Sequence, residues 1–180
     1  MKNRFAVVTF IILALAVVSL TGFAQDDKAK RPSPPAQAQC KLPDGKTVTI
    51  EYSSPRAKGR KIFGGLVPFG EVWRAGANEA TTFVTDTDLT VAGKAIPAGS
   101  YTLFAVPAQS KWTLIVNKKT AEWGVPYKYE SDELARAPMK VSKTSAPVEN
   151  FTIALEPKDK GCTLSMSWEN TEASVTLSEK

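Results

Sequence analysis

The run WRAGANEATTF, residues 73–83, places a guanidinium, an amide and a carboxylate within a few positions of one another. Arg74 and Glu79 are five residues apart, and the intervening Gly76 and Asn78 both tolerate the left-handed backbone angles that let a turn close. We expect such a turn to bring the Arg74 guanidinium close to the Glu79 carboxylate. A cluster of this kind can bind a ligand's carboxylate, phosphate or hydroxyl groups. The alternative, which the need of a loop to satisfy its own backbone groups favours, is a structural clasp.

Carboxylates beside the same run offer a catalytic alternative. Glu71 and Glu79 have the residue type that glycoside hydrolysis uses, and Arg74 lies between them. An adjacent guanidinium lowers the pKa of a carboxyl group, whereas a general acid needs a raised pKa. We therefore expect a non-catalytic protein, with a hydrolase or lyase using Glu79 or Glu71 with Arg74 as the alternative.

Histidine is absent from the sequence. Ser-His and Cys-His nucleophile pairs are therefore excluded, as are His-containing metal sites. Asp86 and Asp88 alternate in TDTDLT and carry the oxygen ligands that calcium prefers, but a calcium loop needs more ligands and a glycine at the turn. We interpret the two as a solvated strand end and expect neither a metal nor a cofactor.

Aromatic residues form a second cluster, in AEWGVPYKYE. Trp123, Tyr127 and Tyr129 have flat rings that can stack on sugars, although such residues also cap hydrophobic cores. Trp112, which alternates with apolar residues, is predicted to be buried. The predicted ligand-binding residues are Arg56, Arg60, Trp73, Arg74, Asn78, Glu79, Trp123 and Tyr127.

Period-two alternation of apolar and polar residues recurs along the chain, as in CTLSMSW, residues 162–168. Turn residues separate these segments, and only residues 131–136 are predicted to be helical. The pattern predicts an all-β fold, an antiparallel β-sandwich of jelly-roll or immunoglobulin-like type with about 8–10 short strands. The predicted strands are 46–52, 80–86, 88–92, 100–106, 111–117, 137–142, 149–156, 162–168 and 172–178.

The N-terminus has the order of a secretory signal. Lys2 and Arg4 precede an apolar run, and small residues allow cleavage after Ala24, so residues 1–24 are predicted to be a signal peptide. An uncleaved membrane anchor is the alternative. Residues 25–39, rich in proline and charge, are predicted to be a flexible linker, and residues 40–180 a single β-sandwich domain. We expect a periplasmic or secreted protein without membrane insertion after cleavage.

The net charge bears on the class of partner, and the two cysteines bear on covalent cross-linking. The formal net charge of +5 includes two signal-peptide cations, and the basic residues form no block beyond 56–61, so no nucleic-acid partner is expected. Cys40 and Cys162 are predicted to form one disulfide in an exported chain, with free thiols as the alternative.

Several linked motifs carry a family resemblance. SPRAKGRKIFGG and WRAGANEATTF are followed by IPAGSYTLFAVP, WTLIVNK and EWGVPYKY. From about Lys46 to the C-terminus the chain resembles the bacterial exported family called domain of unknown function 2911. The resemblance implies a secreted or periplasmic all-β domain with no established activity, substrate or cofactor. The matching positions are Ser54, Pro55, Arg56, Gly59, Arg60, Phe63, Gly64, Trp73, Arg74, Gly76, Asn78, Glu79, Gly99, Asn117, Trp123 and Gly124.

The chain departs from the family at ELARAPMKV, where the family has a strand rich in valine. Pro138 makes the predicted strand 137–142 either an edge strand or no strand. Taken together, the sequence predicts an exported, non-catalytic β-domain that binds a small-molecule, glycan or envelope-protein partner through its Arg/Asn/Glu loops. A purely structural interaction module is a further alternative.

Overall fold

The computed structural model describes residues 28–180, so the predicted signal peptide lies outside the described residues. Nine strands form within that range, and a turn of 3₁₀ helix, Glu130–Asp132, precedes the eighth. No helix in this range is long and apolar enough to cross a membrane. The strands are β1 Pro35–Lys41, β2 Thr47–Ser53, β3 Thr81–Thr85, β4 Leu89–Val91, β5 Lys94–Ile96, β6 Gly99–Val106, β7 Lys111–Asn117, β8 Glu133–Lys158 and β9 Gly161–Glu179.

All nine strands belong to one antiparallel sheet, in the order β1-β2-β3-β6-β7-β8-β9-β4-β5. The sheet folds back on itself, because a disulfide between Cys40 and Cys162 joins β1 to β9. Where β2 meets β8, the Tyr52 hydroxyl accepts a 3.0 Å hydrogen bond from the Ile153 backbone N–H. The predicted all-β class is confirmed, as is the disulfide. The division into two sheets of a sandwich stays a prediction.

Alternation along the strands accounts for the core. Leu164, Met166 and Trp168 of β9 all point inward and are fully buried, whereas the residues between them are half-buried. Trp112 is only 1% exposed, which confirms its predicted burial. Burial of these inward faces stabilises the fold through the hydrophobic effect.

The prediction of a helix at residues 131–136 is wrong. Ala135, Ala137 and Met139 are buried at every second position, and β8 pairs there with β7. The period-two pattern therefore overrides the local helix signals at Ser131. Pro138 lies within this strand opposite Thr113 of β7, and pairing with β9 begins only at Lys140, so the missing N–H interrupts no ladder on that side.

The lengths of the last two strands also differ from the prediction. β8 and β9 each merge two predicted strands, and residues 169–171, between the last two predicted strands, stay within β9. The register shifts lie opposite them on β8, between Lys143 and Val148 and between Val148 and Thr152. Glu169 has a left-handed φ of 50° and still pairs with Val148. The turn residues therefore bend a continuous ribbon instead of ending it.

Two strands, β1 and β5, were not predicted from the sequence. β1 occupies the end of the predicted flexible linker, where Ala38 and Cys40 alternate inward against β2. Its small side chains carry little hydrophobic signal, so pairing and the disulfide order it instead. β5 is the second arm of a hairpin closed at Ala92 and Gly93, both with positive φ.

The disulfide should contribute strongly to stability. It spans a sequence separation of 122 residues, for which the chain-entropy model gives about 4 to 5 kcal/mol. We expect the double variant Cys40→Ala/Cys162→Ala to lose several kcal/mol of unfolding free energy in urea titrations, with an unchanged circular dichroism spectrum. A loss below about 1 kcal/mol would contradict this role.

Candidate functional site

The loop 73–80 is fixed to the sheet at Trp73. Its backbone exchanges two 2.8 Å hydrogen bonds with Ala105 of β6. Its ring stacks on Trp168 at a centroid distance of 6.1 Å and meets the Phe151 ring edgewise at 4.9 Å. The indole N–H donates to the Gly76 carbonyl at 3.1 Å. Trp73 is thus the hydrophobic anchor of the loop.

The turn that follows uses its residues differently from the prediction. The left-handed positions are Ala75 and Asn78, with φ near 51° and 57°, and Gly76 is not among them. Gly76 lies where the loop crosses β2, and a Cβ there would approach the Ser53 carbonyl to 3.0 Å and the Thr81 hydroxyl to 3.2 Å. Close packing, and not φ, therefore favours glycine at this position.

Arg74 joins two loops. Its Nη1 donates to the carbonyl of Asn78 and, at 2.9 Å, to that of Trp123. Its guanidinium carbon also lies 4.9 Å from the centroid of the Trp123 ring, which adds a cation–π contact. Burial lowers the pKa of Arg74, and the charge of Glu79 opposes that shift. The side chain bridges backbone carbonyls, as the clasp hypothesis predicts.

Glu79 pairs with a different arginine from the one that we predicted. Arg31 Nη1 donates to both Glu79 carboxylate oxygens, at 2.9 and 2.8 Å. These hydrogen bonds hold the pKa of Glu79 below its ordinary value. Beside them the Asn78 side-chain amide donates to the Ser33 carbonyl at 3.0 Å. The segment before β1, predicted to be part of a flexible linker, is thereby held against the loop.

A cleft of about 420 Å³ opens beside this loop, and we call it the Trp73 cleft; Glu79 is not part of its lining. It brings together four predicted ligand-binding residues, Arg60, Trp73, Arg74 and Asn78, and the alternative catalytic residue Glu71. The remaining lining is mostly apolar. The residues that complete it are Ser33, Pro55, Leu66, Val67, Pro68, Val72, Gly76, Ala77, Val125 and Trp168.

Two charged residues of this cleft keep hydrogen-bonding capacity for a ligand. Glu71 is exposed, and within residues 28–180 its carboxylate has neither a hydrogen bond nor an ion pair. Arg60 donates hydrogen bonds from Nε to the Ala57 carbonyl at 3.0 Å and from Nη2 to the Arg56 carbonyl at 2.6 Å. Because a guanidinium carries five N–H groups, about three remain available. An acceptor and a donor thus line one amphipathic cleft.

The other predicted residues lie elsewhere. Glu79 lines a separate cleft of about 160 Å³ with Arg31, and Arg56 lines a recess next to Arg60. Trp123 is 57% exposed over Arg74 but is not part of the lining of the Trp73 cleft.

Tyr127 belongs to a polar network under the next loop. Its hydroxyl donates to Glu133 at 2.6 Å and accepts from the Asn117 amide at 3.2 Å. Burial, and then the hydrogen bond to Glu133, raise the pKa of Tyr127. The network is internally satisfied, which gives Tyr127 a structural role.

The strand-end aspartates also serve the fold. Asp86 accepts from the Thr47 hydroxyl and backbone N–H, and Asp88 accepts from the Ala98 N–H. In the described part of the chain, no three His, Cys, Asp or Glu side chains converge as metal ligands.

Sequence reasoning missed ten of the fifteen residues that line the Trp73 cleft. Leu66 and Pro68 form one wall, Val125 lies on another, and Trp168 contributes from β9. The available signal was the run FGGLVPFG, in which apolar residues alternate with turn residues and not with polar ones. Leu66 is 48% exposed, so it contributes apolar surface that does not pack into the core.

Fold and site together define a disulfide-linked, all-β domain with one amphipathic cleft beside its tryptophan-anchored loop. The chain belongs to the family described as "Protein of unknown function (DUF2911)", which matches residues 33–177. No curated protein and no solved structure matches it significantly.

Gly124 should be needed for the loop that Arg74 holds. It has φ +91°, and a Cβ would lie 2.9 Å from that of Ala80 and 3.2 Å from that of Arg74. Gly70, with φ +80° and nothing within 4 Å, is the matched control. We expect Gly124→Ala to lower the unfolding free energy by at least about 1 kcal/mol more than Gly70→Ala, because overpacking adds to backbone strain. If both variants lost the same unfolding free energy in denaturant titrations, the loop would have adjusted to the added Cβ, and the prediction would be wrong.

The Glu79 ion pair should make a small, pH-dependent contribution to stability. A lowered pKa means that this contribution is present above the ordinary value of 4.5 and is lost as the pH falls through the lower, folded-state value. Since the pair is exposed, we expect less than about 1 kcal/mol.

In denaturant titrations, Glu79→Gln should therefore be less stable than wild type at about pH 7 and equally stable at about pH 2 to 3. The control is Glu156→Gln, because Glu156 is an exposed residue of β8 whose carboxylate forms no ion pair in residues 28–180. This variant should show no such difference. A difference between wild type and Glu79→Gln that is independent of pH would contradict the assignment.

Proposed function

We propose that this chain is an exported, non-catalytic binding domain that holds a polyhydroxylated ligand in the Trp73 cleft. The observation that carries the proposal is that one cleft is lined by the Glu71 carboxylate, which has no ion pair or hydrogen bond within residues 28–180, and by the Arg60 guanidinium, which keeps N–H groups for a ligand. Its volume of about 420 Å³ falls in the range of small-molecule sites.

The chemistry of the lining favours a sugar over a simple anion. A sugar ring has an apolar C–H face that packs on aromatic rings, and the half-buried Trp73, which stacks on the buried Trp168, lines the cleft. Its hydroxyl groups both donate and accept, which suits one carboxylate and one guanidinium together. Arg74, by contrast, already donates hydrogen bonds to two backbone carbonyls and lies over the Trp123 ring.

The alternatives receive less support. A glycoside hydrolase needs two carboxyl groups on either side of one bond, but Glu71 and Glu79 line different clefts, and the pKa of Glu79 is lowered. A purely structural module accounts for Arg74, Asn78 and Glu79, which hold the loop. It gives no role to the exposed Leu66 or to the Glu71 carboxylate, which has no partner within residues 28–180.

Export is part of the proposal. Disulfides persist in oxidising compartments, and the Cys40–Cys162 bond fits a periplasmic or secreted protein. A soluble glycan of the cell envelope is the class of ligand that such a protein meets, and an envelope protein that carries one is a partner of the same chemistry.

A pair of carboxylate variants tests the site. We expect Glu71→Gln to weaken binding of envelope-derived oligosaccharides at least about tenfold, because charge-assisted hydrogen bonds to hydroxyls are lost. Glu79→Gln, which removes the same charge from the separate cleft, should leave the affinity unchanged. Isothermal titration calorimetry gives the affinity, and tryptophan fluorescence, to which Trp73 contributes, gives a second readout of binding.

Two results would contradict the proposal. One is that no oligosaccharide in the panel binds to well-folded wild-type protein. The other is that Glu79→Gln weakens binding as much as Glu71→Gln, which would place the ligand outside the Trp73 cleft.

A further inference from the structure

A second concave surface adjoins the Trp73 cleft, and we call it the basic recess. It has a volume of about 330 Å³ and is lined by Pro32, Ser33, Arg56, Lys58 and Arg60. Ser33 and Arg60 line both sites, so the two are neighbours with a common wall.

The positions of the three cations follow from one tight turn. The Arg60 N–H donates to the Ala57 carbonyl at 3.0 Å, and the central residues Lys58 and Gly59 both have positive φ, 50° and 70°. A turn of this type is compact and places its tip in solvent. The Lys58 backbone N–H donates to the Glu149 carboxylate at 2.9 Å, which fastens the turn to β8.

Both guanidinium groups of the recess are oriented before any ligand arrives. Arg56 donates from Nη1 to the Ser54 carbonyl at 2.5 Å and to the Ser54 hydroxyl at 2.9 Å. Arg60 is held by the carbonyls of Ala57 and Arg56. Each therefore keeps about three of its five N–H groups. Because the side chains are already ordered, binding an anion costs little further side-chain entropy.

The positive charge of the recess is not neutralised locally. No acidic residue lines it, and within residues 28–180 none of Arg56, Lys58 and Arg60 forms a salt bridge. The Glu149 carboxylate accepts from the Lys58 backbone N–H but lines a different cleft, which Arg60 also lines. Planar guanidinium groups and a mobile ammonium are the groups that proteins use for carboxylates and phosphates.

We propose that the basic recess binds the anionic substituent of a sugar whose ring occupies the Trp73 cleft, so that the ligand class is an acidic glycan. This inference rests on the proposed function and specifies its ligand. The shared chemistry is an anionic group attached to a sugar, either a uronate carboxylate or a phosphate ester. Arg60 contacts both parts, since it lines both surfaces.

Matched sugars and matched variants test the inference on the intact protein by calorimetry. The sugar pairs are a galacturonate trimer against a galactose trimer, and glucose 6-phosphate against glucose, with inorganic phosphate alone as the anion control. The variants are Lys58→Gln and, as a control for net charge, Lys140→Gln, which removes an exposed lysine of β8 outside both linings. Melting temperatures verify that both variants are folded.

We expect at least one acidic sugar to bind about tenfold more tightly than its neutral counterpart, with an affinity that falls as salt is raised. Lys58→Gln should weaken only the acidic sugar, by about fivefold, and Lys140→Gln should change neither. The acidic pair that responds identifies the anionic group.

The failures are distinguishable. If neutral sugars bind as tightly as acidic ones and Lys58→Gln has no effect, the inference is wrong and the proposed function survives. If inorganic phosphate binds as tightly as any acidic sugar, the recess takes anions without a sugar, and the inference is again wrong. If wild type binds none of the sugars or phosphate, the inference fails together with the proposed function.

Discussion

The guanidinium of Arg74 is the interaction on which the site depends. Its hydrogen bonds to the carbonyls of Asn78 and Trp123 hold together two loops that share no strand pairing. Behind it, Trp73 fixes the same loop to β6 and to the aromatic cluster of β8 and β9. The Ala80 N–H donates to the Glu122 carbonyl at 3.0 Å and joins the same two loops, so this backbone bond and the guanidinium together set their separation. Arg74 therefore acts mainly by positioning the two loops and less by binding a ligand directly.

Much of the fold was predictable, because one-sided burial imposes alternation on antiparallel strands. The segments around Val48, Leu103 and Met166 carry strong alternation, and all lie in strands of the structure. β1 was not predictable, since its alanines and glutamines carry little hydrophobic contrast and its order depends on pairing and the disulfide. The helix predicted at residues 131–136 fails because tertiary pairing outweighs a local cap.

The site was predictable only where it is local in sequence. The motif around Trp73 marks the loop, and the closing turn was expected, although Ala75 and not Gly76 adopts the left-handed angle. The partner of Glu79 could not be inferred, because Arg31 lies 48 residues away in a segment with the composition of a linker. The same holds for Trp168, which reaches the cleft from β9. Long-range contacts of this kind leave no spacing pattern.

Arg60 lines the Trp73 cleft, the basic recess and a third cleft of about 440 Å³ on the β8 side. One cation with a limited number of N–H groups is therefore common to three surfaces. Whatever occupies one of them changes the charge and the donors that the other two present. By thermodynamic linkage this influence is reciprocal, so occupants of neighbouring clefts would compete for Arg60 or, when they are parts of one molecule, reinforce each other through it.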